Sequence, residues 1–240
     1  MTDFAWTPAE RQTVVMVTMT TFVYLAYHYG LSADRFRARL RARLGPDELE
    51  IASVARQRVL GGLLLGLAPA LTLGLLGAPP LRHGLGRADW ASSLGWVAAL
   101  TAIVLPILAR ASRSPRQWAT YPQMRITAWN RRRWWQSTLC WGVYLLGYEY
   151  FFRGALLFWL VDHVGVWPGI VIMNGLYTFA HLNKDVGETV GSAFMGVVFA
   201  AMALHTGAIW APFALHWIIA TASETFAIRA NPALRWDGAR

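Results

Sequence analysis

Charge is scarce in this chain. Of 240 residues only 15% are charged, against about 25% in a typical soluble domain. Lysine is nearly absent: Lys184 is the only one, and the remaining basic residues are arginines, a bias that suggests a high-GC bacterial genome. Cysteine occurs once, at Cys140, which excludes a disulfide within the chain and a cysteine-rich metal site. The stretch Met1 to Trp6 has neither a basic segment nor a small-residue cleavage site, so the first apolar run is read as a retained helix, not a cleaved signal peptide. Internal repeats, low-complexity segments and the inverted repeats of transporters are also lacking.

Apolar surface is what the chain has in excess. Hydrophobic residues make up 55% of it, and it holds 13 tryptophans, a residue type that gathers at membrane–water interfaces. This composition predicts an all-α, single-domain integral membrane bundle with about seven spans, near residues 13–29, 59–76, 90–108, 134–160, 168–181, 189–204 and 209–228. The net charge of +9 could suggest nucleic acid. The basic residues, however, lie between apolar runs, which fits a lipid bilayer as partner and no nucleic acid. Asp34 to Arg43 alternates basic and apolar residues, and Gly45-Pro46 closes it. It reads either as a helix on an anionic membrane surface or as a solvated basic loop. Arg131 to Trp135 reads as an interface anchor. Arg35–Arg58 and Arg110–Arg133 follow the first and third spans, so the positive-inside rule puts both in the cytoplasm. The chain is then a multi-pass protein of the bacterial inner (plasma) membrane, with the N-terminus outside and the C-terminus inside. The polar tail to Arg240 reads as frayed.

Two charges break this apolar pattern. Glu149 and Arg153 lie in the run from Trp141 to Leu160. An ionised side chain near a bilayer centre costs about 3 kcal/mol on insertion scales, so the two must pair, face water or face other helices. They stand at i and i+4 with the acid first, the favourable order for a helical ion pair. The next apolar run ends in His181, and His216 lies in the last. From helical rise, Glu149, His181 and His216 come to depths of roughly 12 to 21 Å from the outer surface, so they can share a cavity. The short fifth span leaves Leu182 to Glu188 within the inner half, where polar backbone is tolerated only if it is buried in protein or lines water. A plainer reading makes the ion pair a helix tether, and His28, His163 and His205 are read as packing residues.

These residues resemble the CPBP family, the CAAX prenyl protease and bacteriocin-processing (Abi) intramembrane proteases, over roughly residues 135–226. The family's first motif, Glu-Glu-x-x-x-Arg, is similar to Tyr148-Glu149 through Arg153-Gly154; its second, Phe-x-x-x-His, to Tyr177 through His181; its third, His-x-x-x-Asn, to His216 through Ala220. The resemblance implies that Glu149 is the general base, His181 assists it, His216 stabilises the oxyanion and Arg153 orients the glutamate. Tyr148 and Ala220 depart from the motifs. Ser223 or Thr221 are then candidate replacement donors and Glu224 a spare acid, while Lys184 and Glu188 are expected at the cavity mouth. The implied function is an endopeptidase acting on a membrane-embedded or lipid-modified peptide, without a cofactor. Glu149, His181 and His216 are alternatively a zinc set, although the usual His-Glu-x-x-His is lacking. The reading from another class is a non-catalytic relative that binds membrane peptides or serves as an immunity or scaffold protein. The hydrolytic reading with Glu149 as base requires a water within about 3 Å of both Glu149 and His181; if Glu149 faces away from His181 and only Tyr148 faces it, that reading fails and a binding or scaffolding relative is the better account.

Overall fold

A computed structural model describes residues 6–31, 33–182 and 186–237. It is an all-α membrane bundle. Its helices are α1 (Pro8–Leu25), α2 (Ala33–Leu40), α3 (Pro46–Leu75), α4 (Trp90–Ala111), α5 (Pro115–Thr120), α6 (Arg131–Glu149), α7 (Leu157–Val164), α8 (Val166–Phe179), α9 (Val186–Thr206) and α10 (Trp210–Ala230). Among the described residues α3, α4 and α9 are each long and apolar enough to cross a bilayer, and α8 is apolar but shorter. Leu71, Leu75, Leu94, Val171 and Phe194 point outward and exposed, as expected of a surface that meets lipid instead of water.

Helix α3 begins 13 residues before the expected second span, at Pro46 rather than Val59. The signals for this start are local. Gly45 precedes a proline at the first helical position, and Asp47 and Glu48 complement the helix dipole in the first turn. Much of the stretch taken as a basic loop is therefore helix, and Arg58 lies inside a spanning element, 5% exposed. Asp34 to Arg43 largely forms α2, which favours the helical alternative. α3 packs on α6 through glycines: a Cβ on Gly62 would strike the Val143 carbonyl, and one on Gly147 would strike that of Gly62. Small residues let membrane helices approach at backbone distance.

The expected fourth span is helical throughout but changes its winding. Between α6 and α7 the chain takes π-helical turns over Tyr150–Leu156, a local widening common at functional sites. Every residue of this stretch is buried. Gly84, with φ +93°, brings its own backbone against Gly154, where a Cβ would lie 2.7 Å from the Gly154 Cα. Around the stretch, Leu65, Tyr148, Phe152, Leu156, Met173, Tyr177 and Ala203 form the main apolar core.

The tail is not frayed as far as Asp237. Ala128–Trp129 and Arg235–Trp236 pair as a two-stranded parallel sheet. Leu234 packs there against the buried Met124, Ile126, Trp129 and Ile228.

Candidate active site

The α6 end places Glu149 at the centre of the bundle, fully buried. One oxygen, Oε1, takes two partners: His216 Nδ1 of α10 at 2.6 Å and Arg153 Nη1 at 3.2 Å. A carboxylate only accepts, so His216 donates through Nδ1–H, and its Nε2 is the basic nitrogen of the neutral ring. Arg153 is also fully buried, and its Cζ lies 3.8 Å from the centre of the Tyr177 ring and 5.3 Å from that of Phe199. Sandwiching between ring faces stabilises a desolvated guanidinium. Glu149 Oε2 and Arg153 Nε and Nη2 find no hydrogen-bond partner among the described residues.

His181 follows α8. Its Nδ1–H donates to the Tyr177 carbonyl at 2.9 Å, which again makes Nε2 the basic nitrogen. Its backbone carbonyl accepts from Thr189 Oγ1 at 2.9 Å, and Tyr24 donates from α1 to the adjacent Ala180 carbonyl at 3.0 Å. The two imidazoles meet across Tyr148, whose ring centre lies 6.3 Å from that of His181 and 6.1 Å from that of His216.

A cavity of about 700 Å³ opens on this group. Tyr148, His181 and His216 line it, with Tyr24, Tyr27, Tyr144 and Trp141 forming an aromatic wall and Arg37, Glu50, Arg58 and Glu188 supplying charge. His28, expected as a packing residue, also lines it. Glu149 does not: His216, 20% exposed, stands between it and the cavity. Glu149 is thus set back from the lining in contact with His216, and Tyr148 is on the cavity face.

The supporting positions divide. Tyr177 braces both Arg153 and His181. Glu188 is at the cavity wall, as expected, and Lys184 lies outside the described residues. Tyr121 neighbours Glu188 from the loop after α5; burial, with Glu188 and Glu224 adding to it, pushes its phenol well above the ordinary range. Ser223 is buried away from the cavity lining, and Ala220 is enclosed by Trp141, Leu145 and Trp217 in an apolar cluster. Glu224 is not a spare acid: it pairs with Arg58 Nη2 at 2.8 Å, accepts from Ser137 Oγ and takes the Gln123 backbone N–H at 3.3 Å. Two turns separate Glu224 from His216 on α10, so it serves a second buried ion pair.

Of the alternative zinc set, His216 Nδ1 and Glu149 Oε1 lie 2.6 Å apart and are engaged with each other. Among the described residues no three His, Cys, Asp or Glu side chains are grouped to hold a metal ion.

Arg58 was missed from the sequence, although a signal existed. Glu224 in the last apolar run needs a cationic partner at depth, and Arg58, directly before the second apolar run, is one of the arginines that border such runs. The structure adds Ser137 Oγ at 2.8 Å and the Trp141 ring at 3.9 Å to its contacts.

Neither the curated proteins nor the solved structures searched contain a match to the chain. A family model does match: residues 126–222 fit type II CAAX prenyl endopeptidase, Rce1-like. That match supports a protease-type membrane enzyme, and it covers Glu149, Arg153, His181 and His216 together. The stretch that carries these residues, 126–222, is thus similar to the Rce1-like type II CAAX prenyl endopeptidases.

Proposed function

We propose that this protein is an intramembrane endopeptidase whose water is activated by His216, with Glu149 acting through that imidazole and not on the water itself. The observation that carries the reading is the 2.6 Å Glu149–His216 bond at the wall of a polar cavity. The buried carboxylate fixes the His216 tautomer and stabilises the imidazolium that forms when Nε2 takes a proton from water. The water oxygen attacks the scissile carbonyl carbon, the carbonyl becomes an oxyanion, and the imidazolium returns its proton to the leaving amine. Tyr148 O–H is a donor on the same face for the oxyanion, and His181 orients the water across Tyr148. Arg153 Nη1, at 3.2 Å, holds the Glu149 carboxylate in place beside His216. The substrate is a membrane-embedded or lipid-modified peptide segment that enters from the cytoplasmic side of a bacterial plasma membrane, in the orientation set by the basic loops.

A second reading rests on a separate observation. Tyr148 holds the cavity position and Ala220 sits in an apolar cluster, so the family's glutamate and asparagine have no direct replacement at the water. On that reading the protein binds membrane peptides without cleaving them. The two are separated with the full-length protein in vesicles, using single-span peptides with and without a C-terminal lipid and reading products by mass spectrometry. Cleavage by the wild type that survives chelation supports the endopeptidase. Binding without cleavage, together with cleavage gained in Tyr148→Glu, supports the non-catalytic relative.

A further inference from the structure

Away from the candidate active site, a groove of about 640 Å³ lies between the start of α6, the end of α10 and the C-terminal tail. Its lining has two parts. Arg131 and Arg229 are both exposed, and among the described residues neither has an acidic partner. Below them lie Ile228, Leu234 and the rings of Trp134, Trp135 and Trp236.

The groove is built, not incidental. Trp134 Nε1 donates to Thr225 Oγ1 at 2.9 Å, which fixes the inner ring between α6 and α10. The parallel pairing of Ala128–Trp129 with Arg235–Trp236 holds the tail against the start of α6. That pairing keeps Trp236 in place although the residue is 49% exposed, and Trp135 opposite is 44% exposed. Ordering two half-exposed indoles on a membrane protein is costly in water but favourable at the lipid headgroup level, where such rings prefer to lie.

Charge and shape choose the occupant. Unpaired arginines at the rim attract a phosphate, and an apolar floor beneath them accepts acyl chain. Basic pockets between helix ends are suited to anionic headgroups. We infer that this groove binds one anionic phospholipid, its phosphate between Arg131 and Arg229 and its chain along Ile228, Leu234 and Trp236. This site is independent of the endopeptidase reading. It ties the tail and α10, which carries His216, to the composition of one leaflet.

The test counts bound lipid by native mass spectrometry on full-length protein in detergent, with dioleoyl phosphatidylglycerol and dioleoyl phosphatidylcholine titrated separately. Phosphatidylglycerol should bind about 30-fold more tightly, following the roughly 1 kcal/mol that each arginine contributes near an anionic surface. Arg131→Gln/Arg229→Gln should remove that preference. Arg132→Gln/Arg39→Gln carries the same charge change on exposed residues outside the groove and should keep it. Trp236→Ala should weaken both lipids. Equal affinity for the two lipids in the wild type overturns the proposal, and so does a preference that persists in Arg131→Gln/Arg229→Gln. Full displacement of phosphatidylglycerol by millimolar inorganic phosphate shows an anion site that is not a lipid site, and also overturns it. The wild-type comparison needs no variant, so a variant that fails to fold leaves the proposal open to refutation.

Discussion

Removing Arg58 should destabilise the bundle more than removing any exposed arginine. The guanidinium and the Glu224 carboxylate are 5% and 4% exposed and lie 2.8 Å apart. Arg58 also reaches Ser137 Oγ at 2.8 Å and Gln123 Oε1 at 3.4 Å, and stacks on Trp141. Arg58→Ala leaves Glu224 buried with only a hydroxyl and one backbone N–H, and breaking a buried pair on one side costs about 3–5 kcal/mol. Loss of the stacking on Trp141 adds about 1 kcal/mol. Glu224→Gln is milder, because an amide oxygen still accepts from Arg58; about 2 kcal/mol is expected. The double change Arg58→Met/Glu224→Leu removes both charges and fills the space, so it should cost less than Arg58→Ala alone. Unfolding in mixed micelles, followed by near-UV signal, gives the three free energies. A double change that costs as much as Arg58→Ala, or an Arg58→Ala cost under about 1 kcal/mol, would show that the cluster is incidental.

Three further outcomes follow from the same structure. Arg153→Ala should cost about 3–5 kcal/mol in the same unfolding measurement, because Glu149 is left buried without its cation; normal stability would mean that His216 alone satisfies the carboxylate. Gly147→Leu should separate α3 from α6 and destabilise by more than the roughly 1–3 kcal/mol of ordinary overpacking, since the obstacle is the Gly62 carbonyl and not a side chain; unchanged unfolding would refute the close approach. Asp89 caps α4 through Ser92, whose side chain and backbone N–H hold the carboxyl below its usual range. Its pKa is lowered on folding, so its contribution is present above the unfolded value and fades as pH falls through the lower folded value. Asp89→Asn should flatten the acid limb of the stability profile, and an unaltered profile would assign acid loss to other groups.

Much of the fold was legible because lipid-facing helices announce themselves by apolar length. The runs beginning near Trp90, Thr189 and Ile209 correspond to α4, α9 and α10. Where the reading slipped, charge misled it. Arg56 and Arg58 read as loop residues, yet both lie inside α3, where Glu224, 166 positions away, pairs with Arg58. The π-helical stretch at Tyr150 has no periodic signal; it packs, at Gly154, against Gly84 from a distant loop. The tail escaped notice because two residues pair with two others more than a hundred positions earlier. At the site, the i, i+4 order of Glu149 and Arg153 was readable, and the two are in contact. Which residue faces the water was not readable. Adjacent helix positions differ by about 100° in direction, and only the packing of α6 against α10 puts Tyr148 on the cavity and Glu149 behind His216.

The most direct test of the dyad is a double-mutant cycle on cleavage of a membrane-anchored peptide in vesicles, with Glu149→Gln, His216→Asn and the pair combined. If Glu149 works through His216, each single change should lower kcat/KM by a similar factor, about 10²–10⁴ for a lost general base. The double change should lower it no further, as expected of residues that act as one unit. Full activity in Glu149→Gln beside a dead His216→Asn, or losses that multiply in the double variant, would contradict the account.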